Sequence, residues 1–397
     1  MKVLLIYPKY PDTFWSFRYA LKFASKKATD PPLGLLTIAS ILPKHWEKRV
    51  IDLNVQKLKE KYFKGVDLVF ISAMSVQKKS AKEVIQKVKK MGIKIVAGGP
   101  LFTTYPEEFD EVDYLVLNEG EITLPKFLED LKNGCPKHLY TTKEFANLQT
   151  TPVPAIELID MKKYMSMDVQ YSRGCPFNCE FCDITTLFGS KFRAKKKEQI
   201  IAELENLYNL GFRGSVFFVD DNFIGNRKVL KSEILPSLIE WMRKKNYPFT
   251  FYTQASIDLA DDEELMKLMV LAGFNSVFVG IESPNEESLK ECNKFKNRGR
   301  DLVLSVQKIQ SFGLEVMAGF IIGFDSDPHS IFDSIKEFIE KSRIVTAMIG
   351  ILNAPKGTKL YKRLKEEKRL IKDISGDNTD FSTNFITKMN YKDLLKG

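Results

Sequence analysis

The stretch Gln170-Tyr-Ser-Arg-Gly-Cys-Pro-Phe-Asn-Cys-Glu-Phe-Cys-Asp183 constrains this chain more than any other. It sets Cys175, Cys179 and Cys182 in the spacing C-x3-C-x2-C, directly after a short run that reads as a strand. Thiolates spaced so closely suit an iron–sulfur cluster, because one loop must wrap one small inorganic object. Three ligands on a cubane leave one iron open to bind something else. The competing readings are a zinc knuckle or three structural cysteines. Zinc wants four ligands, or three and an open position, and the spare candidates are remote. Cys135 and Cys292 lie far along the chain, and the only histidines are His45, His138 and His329.

On either side of that loop, apolar strands alternate with helices. Before it, strands are expected over 2–7, 49–53, 66–72, 93–97 and 114–117. Helices are expected after Pro31-Pro32, over 80–91 with Gly92 as its C-terminal cap, and over 124–132. This rhythm predicts an α/β fold with a doubly wound parallel sheet over 1–134. Ligands of such sheets sit at the carboxyl ends of the strands. Those ends carry Ser72-Ala73-Met74, Ala97-Gly98-Gly99-Pro100 and Asn118-Glu119-Gly120-Glu121. Pro136, Pro152 and Pro154 mark 135–165 as a linker. The rhythm then restarts, with strands over 167–171, 215–219, 250–254, 276–281, 315–322 and 346–352. Helices are expected over 197–209, 231–244, 262–272, 300–312 and 330–341.

The cysteine loop, with Phe181 before its last cysteine, resembles that of the radical S-adenosylmethionine (radical SAM) superfamily. The resemblance implies a [4Fe–4S] cluster whose open iron chelates S-adenosylmethionine, which is cleaved to methionine and a 5′-deoxyadenosyl radical. It also makes 166–360 a partial (β/α)6 radical SAM barrel, with its chemistry at the C-terminal strand ends. The residues expected near S-adenosylmethionine are then Phe181, Asp220, Asp221, Gln254, Ser256, Glu282, Ser283, Gly319 and Leu352. Asp220 and Asp221 have two readings: one contacts the methionine ammonium or orders the pocket, or both cap the segment that follows. Gln254 departs from the acidic residue expected from the family, although an amide still bonds a hydroxyl. The alternative for Glu282 is a structural pair with a surface lysine. Gly319 and Leu352 supply apolar wall and close backbone approach, and serve equally well as core.

The first segment resembles the cobalamin-binding domain that precedes many radical SAM domains. That implies corrin contacts at Ser72, Met74, Gly98, Gly99, Glu119, Gly120 and Glu121. The Asp-x-His-x-x-Gly loop of domains that replace the lower cobalt ligand is missing, so a lower histidine is not expected. Segments 10–17, 219–226 and 377–385 resemble signatures of the subgroup that includes the hopanoid C-2 methylase. This implies methyl transfer to an unactivated sp3 carbon of an apolar, isoprenoid or lipid-like substrate. An electron donor such as ferredoxin or flavodoxin is implied as well. Two alternatives stay open: cobalamin-independent radical chemistry on a scaffold domain, and a non-catalytic cluster acting as a redox sensor. The aromatic run from Phe14 to Phe23 reads either as a corrin or lipid cover or as core. Members of the subgroup carry a further C-terminal region, so 361–397 is expected to be either a short tail or a truncated one.

Composition narrows the setting. The 397 residues are 44% hydrophobic and 28% charged, ordinary for a globular chain. No stretch approaches the length of a transmembrane helix, and the opening apolar run, followed by Pro8 and Lys9, reads as a first strand. Five cysteines, three of them in one loop, fit a reducing cytoplasm. The net charge of +9 leaves contact with an anionic membrane face open. Its lysines alternate with glutamates as on solvated helix faces, so no nucleic acid is expected.

Overall fold

The run Val-Leu-Leu-Ile has no polar face to offer water, and it forms β1 (Lys2–Tyr7), whose last five residues are buried. Runs of this kind are what a parallel sheet covered on both faces requires. In this computed structural model, which describes residues 1–13, 16–371 and 381–397, β1 lies inside a six-stranded sheet. Phe14 and Trp15 of the aromatic segment, and 377–380 of the C-terminal signature, lie outside the described residues. The chain divides into two compact units, Met1–Asp168 with Ala202–Phe212, and Val169–Ile201 with Arg213–Gly397.

The first unit adds β2 (Glu47–Asp52), β3 (Leu68–Ser72), β4 (Lys94–Gly98), β5 (Tyr114–Val116) and β6 (Leu139–Tyr140). Their order is β2-β1-β3-β4-β5-β6, and each strand runs parallel to its neighbours. The order reverses between β1 and β3, the switch point at which doubly wound sheets open a ligand crevice. Helices Leu33–Ile41, Lys78–Lys90 and Gly120–Lys132 fall between the strands. The core on one face joins Leu4, Ile6, Val69 and Ile71 of the sheet to Val84, Ile85 and Val88 of the middle helix. The two-residue β6 lies within the stretch that reads as a linker.

A second six-stranded sheet lies mainly in the second unit. It contains β7 (Ser166–Val169), β10 (Gly214–Phe218), β11 (Phe249–Gln254), β12 (Phe274–Glu282), β13 (Glu315–Ile322) and β14 (Thr346–Ile351). The order follows the chain from β7 through β10 to β14, and β7 and β14 are its edges, as in an open partial barrel. A short antiparallel ribbon, β8 (Ser172–Arg173) with β9 (Arg193–Ala194), closes the cysteine loop at its base. Phe218, Phe223, Phe251 and Phe274 stack edge to face or tilted in the core, with centroids 5.0–5.4 Å apart. The expected helix over 231–244 divides into a π turn, Leu230–Ile234, and an α-helix, Leu235–Lys244, with Pro236 in its first turn. The missing N–H and bulky ring of Pro236 favour that wider turn.

Candidate functional site

Every group singled out in the second unit lies in the cysteine loop, at a carboxyl strand end or on strand β13. Gly174 begins the loop at φ 87, and a Cβ there would stand 2.5 Å from the Lys191 carbonyl oxygen. Only glycine therefore lets the two arms of the loop meet. Cys175 N donates to Gly189 O at 3.3 Å, and Cys182 N donates to Cys179 O at 3.3 Å. Burial pushes the thiols of Cys175, Cys179 and Cys182 above the ordinary cysteine value. Thiolates in this loop need a cation nearby, a condition a metal cluster meets. Among the described residues, no three His, Cys, Asp or Glu side chains converge on the position of one ion. A cubane differs in taking each thiolate on a separate iron, so the donor set fits a cluster.

Asp220 and Asp221 follow β10, and both are directed at the stem of that loop. Asp220 is fully buried; Tyr171 N donates to it at 3.2 Å, and Ser172 N and Oγ donate to it as well. Gly174 N donates to Asp221 Oδ2 at 3.4 Å. Burial pushes Asp220 up to about 7 and Asp221 up to about 6, against these donors. The two carboxylates thus hold the segment that precedes the cysteines.

Glu282 ends β12 in a left-handed backbone conformation, φ 66, beside a register shift at Gly280. Such a conformation costs a non-glycine residue about 1–2 kcal/mol and persists where its surroundings enforce it. Lys294 Nζ donates to Glu282 Oε1 at 2.7 Å, and the side chains are only 17% and 10% exposed. Burial pulls the lysine down, yet Glu282 and the thiols of Cys179 and Cys182 outweigh this and hold it above the ordinary range. The glutamate is paired with a lysine, as the structural alternative had it, but one enclosed beside the cysteines. A Cβ at Gly280 would strike both members of the pair, so glycine makes room for it. Asn297 donates to the carbonyls of Gly280 and Ile281 at 3.1 and 2.9 Å. Its own buried Oδ1 has no partner, which fits a ligand that brings donors to this strand end.

The remaining residues divide by role. Ser256 N donates to Asn222 Oδ1 at 3.1 Å, and its hydroxyl donates to Asp258 at 2.5 Å. Ser283 Oγ accepts from Asn285 N at 3.1 Å, within the turn into helix Glu286–Glu291. Gln254 ends β11, half-buried. The Phe278 ring lies over Gly319, where a Cβ would come within 2.8 Å. Leu352 belongs to an apolar cluster with Ile321, Phe324 and Leu360, against which Phe181 packs. Lys294, Asn297 and Asn222 went unnoticed in the sequence. Lys294 sits among Lys290 and Lys296, and nothing in a lysine-rich run marks the one that turns inward.

In the first unit, the carboxyl edge at the switch point is lined by Tyr7, Tyr10 and Met74. Tyr7 and Tyr10 share a hydrogen bond of 2.5 Å, and Tyr10 N donates to Asn54 Oδ1 at 2.8 Å. Met74 N donates to Gln77 Oε1 at 2.7 Å, leaving the Met74 side chain exposed. A Cβ on Gly98 would stand 2.5 Å from Val116 O, and one on Gly99, at φ 90, 2.8 Å from Ser72 Oγ. The protein itself thus demands both glycines. Gly120 lets its helix approach Ile38 of helix Leu33–Ile41. Ala146 N donates to Glu119 at 2.7 Å and Thr151 Oγ1 to Glu121 at 3.2 Å, so both carboxylates bond to the stretch after β6. His45 precedes β2, and His138 precedes β6 and bonds Asp113 O at 3.1 Å. Both histidines lie at amino ends of strands, away from the edge where a corrin would sit. The edge lies at the switch point, where doubly wound sheets take their ligands, and so fits a corrin.

A radical SAM superfamily profile matches residues 169–339, and a B12 binding domain profile matches residues 24–128. Residues 358–397 match a domain of unknown function (DUF4070). An uncharacterized methyltransferase of Synechocystis sp. is 45% identical over 99% of this chain and 74% of its own length. The hopanoid C-2 methylase of Rhodopseudomonas palustris is 35% identical over 97% of this chain and 73% of its own. Among solved structures, the cobalamin-dependent S-adenosylmethionine radical enzyme OxsB with aqua-cobalamin bound superposes with a TM-score of 0.72 at 18% identity. That match covers 97% of this chain and 64% of OxsB. The radical S-adenosylmethionine methyltransferase TsrM from Kitasatospora setae, with cobalamin and [4Fe–4S] cluster bound, also gives 0.72, at 16% identity, over 92% of this chain and 78% of TsrM. At these identities the two structures speak for the fold.

Proposed function

The chain belongs to the cobalamin-dependent radical SAM methyltransferase family, and from that premise we propose that it methylates an unactivated sp3 carbon of an apolar, isoprenoid or lipid-like substrate. The observation that carries the substrate class is the 35% identity to a hopanoid C-2 methylase over nearly the full chain. Bound, the cluster with S-adenosylmethionine supplies a carbon-centred radical, and cobalamin supplies the methyl group.

The chain's own residues bind, orient and exclude water. Cys175, Cys179 and Cys182 would hold the cluster. Glu282 and Lys294 present opposite charges 2.7 Å apart, a match for the ammonium and carboxylate of an amino acid. Asn297 Oδ1 offers a further acceptor at the same strand end. Phe181, Phe324 and Leu352 form an apolar wall that keeps water and stray hydrogen donors from a reactive carbon. In the first unit the Ser72–Met74 turn, Gly98 and Gly99 would lie along the corrin. A ferredoxin or flavodoxin would deliver the electron. No described helix is long and apolar enough to cross a membrane. The net charge of +9 suits contact with an anionic membrane face for a lipid-like substrate.

The test is anaerobic reconstitution with hydroxocobalamin, followed by metal analysis and incubation of lipid extracts with methyl-deuterated S-adenosylmethionine. The expected result is about four irons, one cubane, and near-stoichiometric cobalt per chain, with a lipid that gains a labelled methyl group. Iron without cobalt, with S-adenosylmethionine still cleaved, moves the reading to cobalamin-independent chemistry. Both metals present without a methylated lipid removes the substrate class.

A further inference from the structure

The segment after β14 matches a domain of unknown function, and one of its side chains reaches back to the cysteine loop. Glu180 lies between Cys179 and Phe181, its side chain only 12% exposed. Arg363 takes both of its carboxylate oxygens: Nε donates to Oε1 at 2.7 Å and Nη2 to Oε2 at 3.0 Å. The main chain closes the same contact, with Leu360 N donating to Glu180 O and Glu180 N to Cys292 O, both at 3.0 Å. One residue of the loop is thus pinned at four atoms.

The arginine is itself fixed. Its Nη1 donates to Asp325 at 3.3 Å, and Arg369 holds that carboxylate by two bonds of 2.6 Å. Glu291, from helix Glu286–Glu291, lies 3.5 Å from Nη2. A planar guanidinium that meets a carboxylate through two parallel bonds fixes direction as well as distance, which a lysine cannot do. Without it, Glu180 would be an enclosed charge with no counterion in a loop of thiolates.

We propose that Arg363 is the positioning residue of the cysteine loop: through Glu180 it sets the direction in which Cys179 and Cys182 present their sulfurs. The inference rests on the reading above only in naming a cluster as what those sulfurs hold. It also gives the segment of unknown function a task, the bracing of that loop.

Arg363→Gln and Arg363→Lys are compared with the wild type in two measurements. In metal-free protein, amide hydrogen exchange of a peptide spanning 176–184 rises about tenfold in both variants, while the sheet strands exchange as before. After reconstitution, iron passes to a chelator about tenfold faster and the electron paramagnetic resonance signal of the reduced cluster shifts. A peptide that exchanges within about twofold of the wild type, or a rise shared by the whole chain, overturns the proposal. If Arg363→Gln does not fold, Glu180→Gln opens the same fork from the loop side and is read in the same way. A wild-type chain that takes up no iron overturns the functional reading, and exchange in metal-free protein still decides the role of Arg363.

Discussion

A carboxylate enclosed by protein is tolerated where donors converge on it, and Asp220 and Asp327 both meet that condition. Asp327 accepts from Ser288 Oγ at 2.5 Å, Gly323 N at 2.8 Å and Phe324 N at 3.1 Å, and so shapes the turn after β13. Burial nevertheless pushes it up to about 6. A carboxyl with a raised folded value binds its proton more tightly folded than unfolded. Its contribution to stability is complete below the unfolded value and is lost as pH rises through about 6. We expect the wild type to lose up to about 2–3 kcal/mol relative to Asp327→Asn between pH 4 and 7. Urea unfolding of both proteins at several pH values checks this; parallel curves would refute it. Asp220 also shows what sequence could not supply. The carboxylate pair was legible as important, but its partners stand about 50 residues earlier, and a local motif says nothing about which segment a side chain turns toward.

At the scale of elements, the sheets were legible because parallel strands are apolar on both faces. The expected strands over 2–7 and 315–322 coincide with β1 and β13, and the others shift by one or two residues at an end. β6 escaped because two residues between proline-rich turns carry no period. The close approach of β4 and β5 at their carboxyl ends gives a sharper expectation. A Cβ at Gly98 would lie 2.5 Å from a backbone oxygen of the neighbouring strand, which cannot swing aside as a side chain could. Gly98→Ala should therefore cost more than about 2 kcal/mol. Urea unfolding measures the loss, and a cost below about 0.5 kcal/mol, the range of neutral surface changes, would count against this account of the glycine.

At the scale of the whole chain, the division into two units carries its own prediction. The three cysteines belong to one unit and the corrin edge to the other. The triple change of Cys175, Cys179 and Cys182 to alanine should abolish iron uptake and leave cobalamin bound at near the wild-type amount. Iron and cobalt analysis of one sample reads both, and loss of cobalt together with iron would sink that independence. At this scale the sequence showed two strand–helix series and a cysteine loop at the head of the second. It did not show the ion pairs that frame the loop. Lys294 is one of many lysines spaced like surface residues, and Arg363 lies in a charged helix that reads as solvated.

The bracing of Glu180 by Arg363 also bears on how the protein is made. The two residues are 183 positions apart. As the chain leaves the ribosome, the cysteines emerge first, and Asp220 and Asp221 soon follow to hold their stem. The tether from Arg363 arrives only after everything between the two residues has been made, since a contact this distant in sequence forms after the segments between its ends have been ordered. Metal loading with the loop fully braced thereby waits for residue 363. A nascent chain halted before residue 363 would display three thiols with nothing yet aiming them.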